Sequence, residues 1–345
     1  METMAPRYDA LLIVSFGGPE GPDDVMPFLR NVVRGRNVPE ERLRQVAAQY
    51  QHFGGQSPIN GQCRALVQAL SAELDRHGPR LPIYWGNRNW HPLLADTLRA
   101  MEQDGVCRAL AFVTSAYASW SGCRQYLEDI EHARRKVGEG APEVDKLRLY
   151  YNHPGFIEPV VELTGAAFQR VPEPRREDAR LVFTAHSLPR TLAATSDYEA
   201  QLGETAGLVA DRLGRPSWSL VYQSRSGPPE QPWLEPDIVD HLRMLAVGGV
   251  HDVVVAPIGF VSDHMEVVYD LDLQARSRAV ELGLNMVRAA TVGTHPRFVR
   301  MIRELIEERL TDEPERLHLG SRGPASDTCS PDCCPGPPRR AKPSE

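Results

Sequence analysis

Two successive sets of short apolar runs, separated by stretches with helical periodicity, limit most tightly what this chain can fold into. In the first half the runs cover residues 9–16, 81–85, 108–114 and 147–151. Helix-like patterns lie between them at 40–52, 61–76, 93–103 and 122–135. The second half repeats the plan with runs at 180–186, 219–223, 252–258 and 285–291, then a last helix at about 296–310. Strands that alternate with helices build right-handed βαβ units, which assemble into parallel sheets. The expected architecture is α/β: two lobes, each a four-stranded parallel sheet flanked by helices, with a cleft between them. Over 345 residues this divides the chain into 1–150, 151–311 and a tail at 312–345.

The halves can be laid over one another. VSFGGP at 14–19 sits over TAHSLP at 184–189, and 83–92 over 220–229 with Arg88 on Arg225. Ser121, Gln125 and Asp129 fall on Ser262, Glu266 and Asp270, and His153-Pro154 on His295-Pro296. This pattern points to an internal duplication. The first strand precedes the second by 72 residues in one half and 39 in the other, so the first lobe holds an insertion within 21–79.

A net charge of −7 argues against non-specific nucleic-acid binding. No apolar run is long enough for a transmembrane segment, and no charged-then-apolar leader precedes Tyr8. The expectation is a cytoplasmic protein. Of six cysteines, Cys63, Cys107 and Cys123 are scattered, whereas Cys329, Cys333 and Cys334 crowd a tail with six prolines in 320–345. Such a tail cannot build a core alone. In a reducing compartment its thiols point to metal binding rather than disulfides, and a metal would supply the missing order.

Ligands of parallel α/β lobes bind at the carboxyl ends of strands. Gly17-Gly18-Pro19 lacks the later glycines of a dinucleotide fingerprint, and no P-loop is present, which excludes the common nucleotide enzymes. The polar residues at these ends are His186, closing an apolar run, and Glu266 and Asp270, spaced i and i+4. Two readings stand side by side. His186 is a core histidine, and Glu266 closes a capping box at N3 behind Ser262 or Asp263. Alternatively, an imidazole and carboxylates meet at a cleft, a donor set that suits Fe²⁺. Carboxylates at i,i+4 repel unless a cation or proton joins them. The opposing half presents Phe16 and Gln125 at the matched positions, hence an apolar wall suited to a flat ligand with polar edges.

Six ordered motifs carry a resemblance. They are LLIVSFGGP (11–19), GGQSPIN (54–60), GNRNW (86–90), TAHSLP (184–189), YQSRS (222–226) and PIGFVSDHMEVVY (257–269). Over about residues 8–310 the chain resembles the ferrochelatase family. That resemblance implies two Rossmann-like lobes of the class II chelatase type, with Fe²⁺ and a porphyrin as substrates. It implies His186 and Glu266 as the catalytic metal-site pair and Asp270 as the next member of an acidic column, in which Gln274 replaces a third acid. Ser57 and Tyr126 match porphyrin contacts, and Phe16 stands where relatives place Tyr or Met on the macrocycle face. The stretch 25–50 carries Arg30, Arg34, Arg36, Arg42 and Arg44 where relatives using protoporphyrin often have an apolar lip. These are either a solvated helix face or, with Arg34 as substrate-binding residue, partners for the four propionates of coproporphyrin III. The expected product is Fe-coproporphyrin III, passed to a transient haem-pathway partner. Cys123, Cys329, Cys333 and Cys334 match a [2Fe–2S] site; zinc or free thiols are the other readings. A protoporphyrin IX ferrochelatase, a chelatase for another metal or tetrapyrrole, and a non-catalytic bilobed binding protein are the rivals.

Overall fold

The computed structural model describes residues 8–227, 230–330 and 332–337. Strand β1 (Ala10–Ser15) is buried along its whole length, as a parallel strand covered on both faces must be. β2 (Ile83–Asn87), β3 (Arg108–Val113) and β4 (Glu143–Lys146) join it in the all-parallel order β2-β1-β3-β4. β5 (Arg180–His186), β6 (Trp218–Gln223), β7 (Asp252–Ala256) and β8 (Asn285–Arg288) form the second sheet in the matching order β6-β5-β7-β8.

One strand differs from expectation. The apolar run 147–151 does not pair; the ladder joins Arg108–Ala111 to Glu143–Lys146 instead. The run is buried for another reason: Tyr150 stacks on Phe112 at 5.1 Å and packs edge-on to Phe298 at 6.0 Å. Its hydrophobicity serves side-chain packing, while the paired strand, with three charged residues in four, lies at the sheet edge.

After β1 come α1 (Pro22–Val32), α2 (Glu40–Gln51) and α3 (Ile59–His77); α4 (Leu94–Gln103) follows β2. A π-helical turn, Trp120–Arg124, leads into α5 (Gln125–Val137), and α6 (Pro154–Gln169) connects the sheets. In the second half α7 (Arg190–Ala193) and α8 (Tyr198–Arg212) follow β5, and α9 (Ile238–Val247) follows β6. α10 (Met265–Val267), a π-helical segment (Val268–Ala275) and α11 (Arg276–Glu281) follow β7, and α12 (Pro296–Leu310) comes last. The insertion in the first lobe is α1 and α2. Both third strands lead into π-helical turns. His153 and His295 are both N-caps, each ring Nδ1 accepting an N–H two residues on and each followed by proline. The matched stretch 220–229 ends in residues 228 and 229, outside the described residues.

One apolar cluster, including Leu11, Phe112, Phe156, Phe183 and Phe298, runs from the first sheet through α6 and α12 to the second. The lobes therefore share a core. A smaller cluster joins Val25, Phe28, Leu29, Leu43 and Tyr50 of the insertion to Met265 of the second lobe. The tail is ordered by docking. Leu319 N–H donates to Asn152 O (2.8 Å), Asn152 Nδ2 to Gly323 O (2.8 Å) and Arg148 to Leu317 O (2.9 Å). Among the described residues no helix is long and apolar enough to cross a membrane.

Candidate active site

The β5–β6 register places His186 beside Gln223 at the carboxyl edge of the second sheet. Ser187 N–H donates to Gln223 O (2.8 Å) and Tyr198 Oη to His186 O (3.0 Å), which fixes the backbone on both sides of the imidazole. His186 Nδ1 lies 2.5 Å from Ser187 O. A carbonyl only accepts, so Nδ1 carries the proton and Nε2 faces outward. Nε2 stands 3.4 Å from Glu266 Oε1, with the two side chains 28% and 47% exposed. His186 is thus a cleft residue and not a core histidine.

The capping-box reading of Glu266 does not hold either. The N-cap of α10 is His264, whose Nδ1 accepts the Glu266 N–H at 3.1 Å. Asp263 is engaged elsewhere, with Arg288 (3.1 Å to each oxygen) and Thr291 (3.1 Å); Arg288 also binds Asp272 at 2.6 and 2.8 Å. The Glu266 carboxylate is left free for His186. Gln223 Nε2 donates to Glu266 O, and Ser224, held in the left-handed region at φ 63°, donates its hydroxyl to Asp270. Gln274, one turn further along the column, is exposed.

Burial pulls the His186 imidazolium down, but the facing Glu266 carboxylate outweighs it and lifts the group to about 9. Burial raises Glu266, yet His186 holds it at about 2. The two form an ion pair at neutral pH. Asp270 has a hydroxyl against it; burial, with Glu266 adding, lifts it to about 7 despite the Ser224 hydrogen bond. One wall of the site thus holds a charged pair and a carboxyl poised near neutrality.

The other wall is aromatic. Phe16, just past β1, packs edge-on to Phe28 at 6.2 Å, and Phe28 meets Trp90 at 6.2 Å and Tyr50 at 6.1 Å. Met265, Val268 and Tyr269 of the acidic segment pack against this cluster. Arg88 covers the Tyr126 ring at 4.4 Å, lies 5.8 Å from the Phe16 ring and pairs with Asp129 at 2.5 Å. In the first lobe, then, an arginine pairs with the aspartate whose counterpart in the second lobe, Asp270, accepts from the Ser224 hydroxyl. Gly17 has φ 80°, and a Cβ on Gly18 would come 2.7 Å from Ser57 Cβ, so this turn tolerates glycine only.

Ser57 and Tyr126 are buried beside these loops. Arg34 sits on an exposed corner after α1, donating to Asn31. Arg30 pairs with Glu40 at 2.6 Å and Arg44 with Glu41 at 3.7 Å, both on exposed surface, which makes them a solvated helix face. Sequence reasoning missed Asn60, Asn87, Gln223 and Tyr198 as supports of the site. Three of them lie within the motifs GGQSPIN, GNRNW and YQSRS, but their burial is a tertiary property; Asn60 and Asn87 are only 1% and 0% exposed.

The tail brings its cysteines to the first lobe. Cys123, on the π-helical turn, and Cys334 are buried, and the Cys333 and Cys334 sulfurs lie 3.5 Å apart. Cys334 adopts φ 51°, in the left-handed region. A Cys123–Cys329 hydrogen bond, opposed by burial and helped by Lys146, Cys333 and Arg124, lowers Cys329 to about 5; the same bond and burial push Cys123 up. Lys146 is buried, donates to Leu147 O (3.1 Å), and so places a cation beside these thiols. The sulfurs form a chain of neighbours; among the described residues no three or more His, Cys, Asp or Glu side chains surround a single metal-ion position.

Comparison with known proteins shows the family. The family description "Ferrochelatase" matches residues 8–310. A ferrochelatase of Rhodopirellula baltica is 55% identical over 337 residues, 97% of this chain and 95% of that protein. A coproporphyrin III ferrochelatase of Streptomyces griseus is 52% identical, covering 98% of this chain and 95% of that one. Among solved structures, SirB from Bacillus subtilis with Fe³⁺ superposes with a TM-score of 0.54 at 12% identity, over 89% of this chain and 97% of that one, a likeness of fold.

Proposed function

Since the chain belongs to the ferrochelatase family, we propose that it inserts Fe²⁺ into coproporphyrin III to form Fe-coproporphyrin III. The observation that carries the chemistry is the His186–Glu266 pair, 3.4 Å apart and open to the cleft at a strand edge. The substrate rests on the names of near-full-length relatives. Of the five arginines in 30–44, Arg30 and Arg44 contribute little to it, since both are paired with glutamates on the outer face.

A free-base porphyrin must bend and release two pyrrole protons as iron enters. The aromatic wall, with Phe16, Ser57 and Tyr126, holds the ring, and Arg34 at the outer corner reaches for a propionate. Binding energy from the periphery then favours the bent form. Once its proton has passed to solvent, His186 Nε2, together with Glu266, receives iron or a pyrrole proton from the same side. Asp270, near neutrality, takes protons onward along the column toward exposed Gln274. Residues 1–150 thus supply the ring contacts and one thiol, 151–311 the metal site and 312–345 the other three thiols.

Cys123, Cys329, Cys333 and Cys334 would hold a [2Fe–2S] cluster. A chain of sulfurs suits two irons better than one zinc ion, and Lys146 offsets thiolate charge. Bound, the cluster supplies a redox-active tie between tail and lobe. A cytoplasmic location keeps those thiols reduced, and a haem-pathway partner that accepts a tetracarboxylate product completes the reading.

Anaerobic Fe²⁺ insertion by the purified protein, with coproporphyrin III and protoporphyrin IX side by side, tests the reaction. Coproporphyrin should be strongly preferred, and His186→Ala should lose about 10²–10⁴-fold in rate with ring binding retained. Preference for protoporphyrin reverses the substrate, and ring binding without metallation leaves a binding protein. About two irons and two sulfides per chain, with a reddish spectrum, are expected of the cluster; zinc in their place overturns it.

A further inference from the structure

We propose that Gln62 is a positioning residue for metal insertion, registering the porphyrin-side loops against the metal-bearing loop. The inference rests on the assignment of His186 and Glu266 above. α3 begins directly after Ser57-Pro58. In its first turn Asn60 donates to Gly18 O (3.2 Å) and His91 O (3.1 Å) and accepts from Asn87 Nδ2 (3.3 Å). That turn therefore fastens the two loops that face the ring. Two residues on, Gln62 Oε1 accepts the Asp263 N–H of the opposite lobe at 2.9 Å. Among the described residues it is the one first-lobe side chain hydrogen-bonded to the loop 259–266.

Asp263 immediately precedes His264, the cap that holds the Glu266 N–H. Its carboxylate is tied to the second sheet by Arg288 and Thr291. The loop is thus anchored to its own lobe through that side chain and to the other lobe through the Gln62 hydrogen bond. α3 itself is fixed further along by Leu66, Leu70 and Leu74 in the shared core. Apolar packing of Met265, Val268 and Tyr269 on the insertion and the buried Tyr117 Oη to Ile258 O bond (3.0 Å) hold the lobes together around this loop. The helical turn with the Gln62 hydrogen bond sets its register against the ring contacts. Iron must arrive at the ring centre, and a displacement of about 1 Å at a reacting group costs on the order of 10²-fold. Loss of the acceptor should act on the iron step and leave ring binding alone.

The test compares Gln62→Leu, of similar size without the acceptor, with Gln62→Glu, which keeps an oxygen there. In Gln62→Leu we expect coproporphyrin affinity, read by fluorescence quenching, within about twofold of the parent, with kcat about tenfold lower and KM for Fe²⁺ raised; Gln62→Glu recovers most of the rate. Unchanged kcat and iron KM in folded Gln62→Leu, a loss confined to porphyrin affinity, or no recovery in Gln62→Glu overturns the proposal. His186→Ala, run alongside, separates the layers. If it inserts iron at the parental rate, the metal-site assignment has failed; if it is inactive while Gln62→Leu is not, only the role of Gln62 has.

Discussion

At the scale of single residues, Asp270 has a consequence for stability as well as for chemistry. Its carboxyl titrates at about 7 in the fold against an ordinary 3.8. The native state therefore binds the extra proton, and stability falls as pH rises from about 4 to about 7. Asp270→Asn removes that penalty. Its melting temperature should exceed the parent's at pH 8 by a few degrees, about 2–4 °C per kcal/mol regained, with the gap closing towards pH 4. A gap of the same size at both pH values would refute the assignment. His186, also raised, slopes the same way with pH as Asp270, whereas Glu266 runs the other way. His186 contributes fully below about 6.5 and fades as pH rises through about 9, whereas Glu266 contributes above about 4.5 and fades as pH falls through about 2. The i,i+4 spacing identified Glu266 and Asp270 as a pair. Their opposite shifts arise from what the fold sets around each: the His186 imidazole outweighs burial at Glu266, whereas at Asp270 burial and the Glu266 charge outweigh the Ser224 hydrogen bond.

Among elements, the start of α10 shows how a local pattern is overridden. Ser262 and Asp263 have good capping side chains, yet His264 is the cap, because Asp263 is claimed by Arg288 and Thr291 from the far end of the sheet. Substituting His264→Ala should cost about 1 kcal/mol in denaturant melts and lower insertion through the released Glu266 backbone, and His264→Asn should restore most of the stability. If His264→Ala melts as the parent does, the cap is not structural. The same logic explains β4. Residues 147–151 read as a strand by hydrophobicity, but aromatic partners from β3 and α12, distant in sequence, claim them for packing.

For the molecule as a whole, a buried ion pair ties core and tail together. Arg148 and Glu308 meet at 2.6 Å with side chains 1% and 4% exposed, and Arg148 also reaches Leu317 O. Arg148→Met strands a buried carboxylate and should destabilise by about 3–5 kcal/mol, whereas adding Glu308→Leu should recover much of it. Limited proteolysis should cut both variants faster than the parent after 310, since neither donates to the tail. Equal resistance would show that the tail is held by other contacts. No pattern within 20 residues announces this pair; its members are 160 apart.

The family resemblance of the motifs added Ser57 and Tyr126, while periodicity and motif order by themselves determined two parallel α/β lobes, an inserted segment within 21–79, and the candidate residues His186, Glu266 and Asp270. Those properties are written in spacing, which a chain carries before it folds. Tertiary structure alone decided which nitrogen of His186 faces Glu266, which residue caps α10, which run joins the sheet edge, and which cations stand beside the tail thiols. Each of these depends on partners brought together from distant parts of the chain. Hydrogen-bond competition and burial act on groups near in space, whatever their separation in sequence.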